Sequence, residues 1–281
     1  ARGAVRSRLV IGSRGSRLAL TQSRAVADLL RAASPGLEVL IEIIHTQGDK
    51  ILDAPLAQIG GKGVFTRELE VALLEGKVDL AVHSLKDLPT ELPDGLMLAA
   101  TPKREDPHDA FVSIHHASLG ELPVGGRVGT SSLRRKAQLL AIRSDLEVVN
   151  LRGNIETRLR KVVDGEIDAA VLACAGLRRL ELNDRISSVL PVDVMLPAPG
   201  QGALGLEVRS DDEEVAELVR GIADDAATAE TTAERACLAA LEGGCQVPVG
   251  ALAHCHEGSS LELHACVCSV DGSTVLRASI E

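Results

Sequence analysis

One thiol, one carboxylate and a scattered set of cations are the groups in this sequence best able to do chemistry. Cys245 lies in Leu241-Glu242-Gly243-Gly244-Cys245-Gln246-Val247-Pro248. Two glycines and a proline keep that stretch out of regular helix or strand. A thiol on a constrained loop can serve as a nucleophile or as an attachment point, and an inert free thiol is the plain alternative. Asp87 stands beside Lys86 in His83-Ser84-Leu85-Lys86-Asp87-Leu88-Pro89. Ringed by cations, such a carboxylate can protonate a leaving amine or stabilise a forming positive charge. The same pair also reads as a surface turn.

The cations gather in clusters: Arg134, Arg135 and Lys136, then Arg152, Arg158, Arg160 and Lys161, then Arg178 and Arg179. Arginine suits carboxylate recognition because its planar fork binds bidentately and stays charged. Thr130-Ser131-Ser132 adds hydroxyls and helix-start N–H groups one turn before Arg134 and Arg135, an anion site in its own right. An ordinary N-capped helix with solvated arginines fits the same residues.

The elements that must position these groups alternate. Strands are expected at Leu9–Ile11, Leu37–Ile44, Asp79–His83, Arg127–Gly129, Leu146–Leu151, Ala169–Ala173 and Ala203–Val208. Helices are expected from the Ser16 cap to Ala33, over Phe65–Lys77, Ser131–Arg143 and Asn154–Val163. Repeated β-α-β units imply mostly parallel sheets with helices on both faces. Ligands bind such sheets beyond the carboxyl ends of the strands, where Ser13, Arg14, Ser16, His83 to Asp87, Thr130 to Arg135 and Arg152 to Asn154 all fall. Hinges are expected near Thr101–Asp109 and at Pro197–Gly202. The expected fold is α/β: two lobes resembling a type II periplasmic-binding-protein architecture, and a small C-terminal α+β domain from Ala229 onward. The division is 1–102 with 203–222 as a discontinuous catalytic lobe, 103–202 as a second lobe and 223–281 as an attachment domain. No internal repeat and no low-complexity segment is evident.

Composition narrows the function. The 281 residues are 45% hydrophobic and 25% charged, as in a folded protein. Aromatics make up 1% with no Trp or Tyr, which weighs against base stacking. A net charge of −10 disfavours nucleic acid and anionic membrane, while local basic clusters suit a small anion. No apolar run reaches the ~20 residues that span a bilayer, and no signal peptide is evident. The chain starts at Ala1 rather than Met, and a cleaved leader would leave no trace. Six unevenly spaced cysteines point to a reducing compartment. His254, Cys255, His256, His264, Cys266 and Cys268 lack zinc-site spacing, so no metal is expected. Gly60-Gly61-Lys62-Gly63 lacks the Walker spacing and reads as an active-site lid.

In order along residues 9 to 250, several stretches resemble the porphobilinogen deaminase (hydroxymethylbilane synthase) family. They are Gly12-Ser13-Arg14-Gly15-Ser16, Gly48-Asp49-Lys50-Ile51-Leu52, Gly60-Gly61-Lys62-Gly63-Val64-Phe65, His83 to Pro89, Gly129-Thr130-Ser131-Ser132-Leu133-Arg134-Arg135, Leu151-Arg152-Gly153-Asn154, Gly200-Gln201-Gly202-Ala203 and Leu241 to Cys245. The resemblance implies a transferase that joins four porphobilinogen units head to tail, losing ammonia at each step, to give hydroxymethylbilane. It implies a dipyrromethane cofactor held by a thioether to Cys245. It makes Asp87, Lys86 and Arg14 catalytic. Cofactor contacts fall to Cys245, Asp87, Lys86, Ser132, Arg134, Arg135, Arg152 and Gln201. Substrate contacts fall to Arg14, Ser16, Arg152, Arg158 and Arg179. Lys62 and Phe65 belong to a loop over the site. A monomer in the cytoplasm is expected, with plastid stroma the alternative. Arg17 stands where many members have Pro, and Gln58 where Lys is common. The stretch from Ala251 matches loosely, and the closing helix usual past the region of Glu281 is not in this sequence. The rival readings are a solute-binding protein, for which Asp87 and Cys245 would be dispensable, and a salt-sensitive polyanion-binding module.

Overall fold

The computed structural model describes residues 6–46, 65–241, 248–256 and 260–281. Lys62, the glycine-rich stretch 60–63 and Cys245 lie outside the described residues. The chain divides into two compact units, one from 1–51, 59–104 and 203–228, the other from 52–58, 105–202 and 229–281.

The first unit is built on β1 (Arg8–Ser13), β2 (Glu38–Ile43), β3 (Leu80–Ser84), β4 (Leu96–Ala100) and β10 (Leu204–Arg209), in spatial order β2-β1-β3-β10-β4. Strands β2, β1 and β3 are parallel, and β10 runs antiparallel to both β3 and β4. Four strands therefore point one way and one runs against them. The strand expected over 203–208 thus returns to the first sheet. Successive residues of β1 serve opposite faces. Leu9 and Ile11 pack with Val26 and Leu30 of α1 (Arg17–Ala33) and with Val215 and Val219 of α6 (Glu213–Arg220), while Val10 meets Leu69 and Leu73 of α2 (Arg67–Leu74).

The second unit repeats this plan with β5 (Asp109–Ser113), β6 (Arg127–Gly129), β7 (Glu147–Val149), β8 (Ala169–Ala173) and β9 (Ser188–Val189), in order β7-β6-β8-β5-β9. Strand β5 is the reversed one. Helix α3 (Leu133–Ile142) buries Leu139 with Phe111, Val128 and Val171; α4 (Ile155–Val163) and α5 (Cys174–Arg179) cover the other face through Leu159, Val162 and Leu177.

The two units also share a local sequence pattern that the sequence reading missed. Gly76-Lys77-Val78-Asp79-Leu80-Ala81-Val82 and Gly165-Glu166-Ile167-Asp168-Ala169-Ala170-Val171 occupy the same place in their sheets. Each glycine ends a helix with positive φ, 70° and 71°. Each aspartate then accepts a backbone N–H of the neighbouring parallel strand, Val10 of β1 at 2.8 Å and Arg127 of β6 at 2.7 Å. Helix–sheet spacing is fixed alike: a Cβ on Gly12 would press on Val78 at 3.1 Å, and one on Gly129 on Ile167 at 2.6 Å. Only four of the seven positions are identical, too few to stand out without the shared geometry.

Helix α7 (Asp225–Leu241) precedes a three-stranded antiparallel sheet of β11 (Val249–Cys255), β12 (Leu261–Cys268) and β13 (Val275–Ile280). Fully buried Glu234 accepts the N–H groups of Gly200 at 2.7 Å and Ala253 at 2.9 Å. Cys266 and Cys268 face inward against Ala137 and Leu196, whereas His254 and His256 are exposed. Strands β4, β5, β9 and β13 and helices α5 and α6 were not read from the sequence. Strand β5 begins on a charged residue inside a Pro- and Asp-rich stretch that looks like pure linker.

Gly202 carries φ +85°, and a Cβ there would overlap the carbonyl oxygen of Glu105. Gly202→Ala is expected to cost at least about 2 kcal/mol, read as a lower guanidinium midpoint at unchanged m-value.

Candidate functional site

Polar groups collect at the carboxyl ends of the parallel strands in each unit. In the first unit, β1 delivers Arg14, and Ser16 caps α1 by accepting the Ala19 N–H at 3.2 Å. As a hydroxyl, Ser16 also has a hydrogen to donate. Gln22 on α1 donates to the Ser84 hydroxyl at 3.1 Å and ties the helix to the end of β3. A 3₁₀ turn, Leu85–Asp87, follows. Leu85 and Leu88 are buried with Ala203, and the Leu85 N–H reaches the Ala203 carbonyl at 3.0 Å. The two leucines pin the turn and leave Lys86 and Asp87 exposed. Glycine at 205 makes room for this, since a Cβ there would come within 2.9 Å of Leu85. The Arg14 guanidinium sits 4.4 Å from the Phe65 ring centroid, a cation–π contact that orients it.

In the second unit, Ser132 caps α3 by accepting the Arg135 N–H at 3.3 Å, and its own N–H binds the Thr130 hydroxyl at 3.1 Å. Arg134 and Arg135 are not solvated. Each is 6% exposed, and both close on Asp109, which has no exposure at all. Arg134 Nη1 donates to Asp109 Oδ2 at 2.7 Å and to the Leu196 carbonyl at 2.7 Å. Arg135 Nε reaches Asp109 Oδ1 at 2.8 Å, and Nη1 reaches the Val171 carbonyl at 3.2 Å. Gln201 completes the ring: its oxygen accepts from Arg135 at 3.4 Å, and its nitrogen donates to Asp109 at 3.0 Å and to the Pro107 carbonyl at 2.8 Å. Burial would raise the Asp109 carboxyl, but the charges of Arg134 and Arg135 overturn it and hold the group well below the usual carboxylate range. Burial pushes Arg135 down against the pull of Asp109.

Arg152 lies half-buried just beyond β7. Asn154 caps α4 through the Thr157 N–H at 2.8 Å, and Arg158 Nε holds the Gly153 carbonyl at 2.9 Å. Arg179 donates to the Gly202 carbonyl at 2.7 Å; burial lowers it to about 10, with Glu105 opposing. The structure thus gathers Arg14, Ser16, Phe65, Lys86 and Asp87 on the first unit. Ser132, Arg134, Arg135 and Gln201 form one cluster on the second, with Arg152 on the neighbouring β7–α4 loop and Arg158 on α4. Asp109 is the member that sequence reasoning missed; the only hint was an acid directly after a proline-rich hinge.

The cluster fits a carboxylate-bearing group. Two guanidinium groups face one carboxylate, so one positive charge remains, and Arg134 Nε is buried without a hydrogen-bond partner among the described residues. A bound anion satisfies both. Residues 9–217 match the profile for porphobilinogen deaminase, dipyromethane cofactor binding domain, and residues 228–281 that for porphobilinogen deaminase, C-terminal domain. The chain belongs to the porphobilinogen deaminase family.

Members of that family are transferases that polymerise porphobilinogen into hydroxymethylbilane in tetrapyrrole biosynthesis, and the first matched domain binds their dipyrromethane cofactor. The porphobilinogen deaminase of Syntrophobacter fumaroxidans is 53% identical over 96% of this chain and 87% of its own length. That of Roseiflexus sp. is 55% identical over 95% and 88%. Among solved structures, the methionine-binding protein MetQ aligns with a TM-score of 0.50 at 16% identity, covering 82% of this chain and 94% of that one. That likeness, with the two matching sheet orders, gives the type II periplasmic-binding-protein fold. No described helix is long and apolar enough to cross a membrane.

Asp109→Asn strips the charge from a site that still holds two buried guanidinium groups. A loss of about 3–5 kcal/mol is expected at pH 7. Because the native Asp109 carboxyl is depressed, its contribution is present above the ordinary carboxylate range and fades as pH falls through about 4 and below. Urea unfolding from pH 7 to pH 3 checks both: the wild type should lose more stability on acidification than Asp109→Asn.

Proposed function

We propose that this chain condenses porphobilinogen units with Asp87 as the central carboxylate and Cys245 as the anchor of the dipyrromethane. The observation that carries the reading is the surplus positive charge around Arg134, Arg135 and Asp109, within the domain matched to cofactor binding. Ser132, Arg134, Arg135, Arg152 and Gln201 would hold the acetate and propionate side chains of the group. When bound, the dipyrromethane supplies the pyrrole carbon on which the product chain grows.

The residues of the chain itself do the rest. Asp87 is exposed on a pinned turn, so its carboxylate can accept pyrrole N–H hydrogen bonds. The same charge stabilises the cation that develops as ammonia leaves the substrate. Lys86 and Arg14 balance the substrate carboxylates, and Phe65 holds Arg14 in place. Ser16 donates its hydroxyl hydrogen to an incoming carboxylate. Arg152, Arg158 and Arg179 extend the cationic surface as carboxylates accumulate with each added unit. Lys62 belongs by resemblance, with Phe65, to a loop over the site. A domain division at 1–102 with 203–222, 103–202 and 223–281 is part of this reading, supported by three separate sheets. So are a monomer without nucleic-acid or membrane partners, supported by the net charge of −10, and a cytoplasmic setting.

Asp87→Asn keeps the size of the side chain on an exposed turn and removes its charge. Turnover is expected to fall at least ~100-fold with the unfolding midpoint unchanged. Full turnover in that variant would remove Asp87 from the mechanism.

A further inference from the structure

The strand that runs into the Lys86–Asp87 turn carries part of a buried ionisable cluster that the mechanism above does not use. His83 on β3 and Glu207 on β10 are 5% and 0% exposed, with His83 Nε2 2.8 Å from Glu207 Oε2. The two lie diagonally across the strand pair, and Gly205 stands opposite His83 in register. Glu70, on α2, which packs against both β3 and β10, is 7% exposed and feels the charges of Glu207 and His83. Glu207 Oε1 and Glu70 Oε1 are enclosed, and neither has a hydrogen-bond partner among the described residues. The charged groups facing α2 are Glu207 and Arg209 from β10, His83 from β3 and Arg67 on its own helix; the Arg209 guanidinium is engaged by the Leu73 and Val78 carbonyls and by Asp79 and Asp212. The other strands packed on α2 add none. β4 has no titratable residue, and the only one in β1, Arg8, is exposed beside Glu38.

Arg67 is exposed to solvent, so two ionised carboxylates against the one buried imidazole would leave net negative charge in an apolar layer, at high cost. Two enclosed acceptor oxygens can be satisfied together when one carboxyl keeps its proton and donates it to the other. We infer that Glu70 is a positioning residue that stays protonated in the working protein and shares its proton with Glu207 Oε1. Burial supports this first by pushing the Glu70 carboxyl up. The Thr66 hydroxyl opposes, the Glu207 charge pushes up again, and His83 and Arg67 oppose.

The shared proton locks α2 onto the β3–β10 pair. Phe65, which stacks on Arg14, lies two residues before α2 begins, and β3 runs from His83 into the turn that carries Lys86 and Asp87. The inferred role rests on the reading of Arg14, Lys86 and Asp87 given above. The sign of its pH dependence follows from the raised carboxyl. The stabilising contribution of Glu70 is complete below the ordinary carboxylate range and is lost as pH rises through its native value.

The test is a pH titration of carboxyl carbon resonances in protein labelled at glutamate side chains, together with kcat and KM from pH 5 to 10. The Glu70 resonance is assigned by its absence from Glu70→Gln, or from Glu70→Asp should the amide not fold. It is expected to titrate above the ordinary carboxylate range. Glu70→Gln, whose amide N–H replaces the shared proton, is expected to keep kcat within about 3-fold at pH 7 and to lose less rate than the wild type at alkaline pH. Glu70→Ala is expected to lose kcat about 10-fold. A Glu70 resonance titrating in the ordinary range, or alkaline limbs that coincide in wild type and Glu70→Gln, would overturn the inference. Full turnover in Asp87→Asn would instead sink the site reading while leaving a high-titrating Glu70 untouched.

Discussion

Asp109 has no contact with solvent and holds two guanidinium groups, and most of what matters in the second unit is tied to that one carboxylate. It is the first residue of β5, the reversed strand. Through Arg134 and Arg135 it fixes the first turn of α3, and with it the Ser132 cap. Through Gln201 and the Leu196 carbonyl it fixes the loop that leads to β10. A lone arginine with this aspartate would make a closed, neutral pair. A second arginine leaves a charge that burial penalises unless an anion joins it. The protein thus carries a cost while empty that its carboxylate-bearing ligand removes, which suits a group that is bound once and kept.

The frame that positions this chemistry is built twice. Each unit sets a helix-ending glycine, a hydrophobic residue and an aspartate before its central strand, and each aspartate clamps the neighbouring parallel strand by its N–H. The outcome is the same in both: strand ends, helix caps and loop cations on one edge of a sheet. The units differ in what they put there. The first presents Asp87 and Lys86 outward on a turn pinned by Leu85 and Leu88, while the second turns its arginines inward. Exposed acid suits reaction with a mobile substrate, and buried cations suit retention.

Much of this could be read in the residues. Ser16 announces a helix start because a capping oxygen must precede the first turn, and its cap forms as expected; Ser132 and Asn154, at the starts of two further expected helices, cap them in the same way. The inner strands were legible as short apolar runs, and Asp87 and Lys86 stood out as charge between leucines. What stayed hidden was pairing over long separations. Arg134 and Arg135 look the same in sequence whether they meet water or Asp109, twenty-five residues upstream. Glu207 in Leu204-Gly205-Leu206-Glu207-Val208 reads as the outward residue of an alternating strand. Only α2 packed on that face shows it to be buried. The duplicated aspartate clamp escaped notice because its two copies share geometry more than identity.

The central claim is that the surplus charge of the second unit serves a dipyrromethane covalently fixed to Cys245. Intact mass of the purified chain, followed by peptide mapping and repeated after incubation with porphobilinogen, tests it most directly. The account predicts a mass excess of one dipyrromethane on the peptide containing Cys245, either as isolated or after incubation. A Cys245 peptide that stays unmodified after incubation would contradict it.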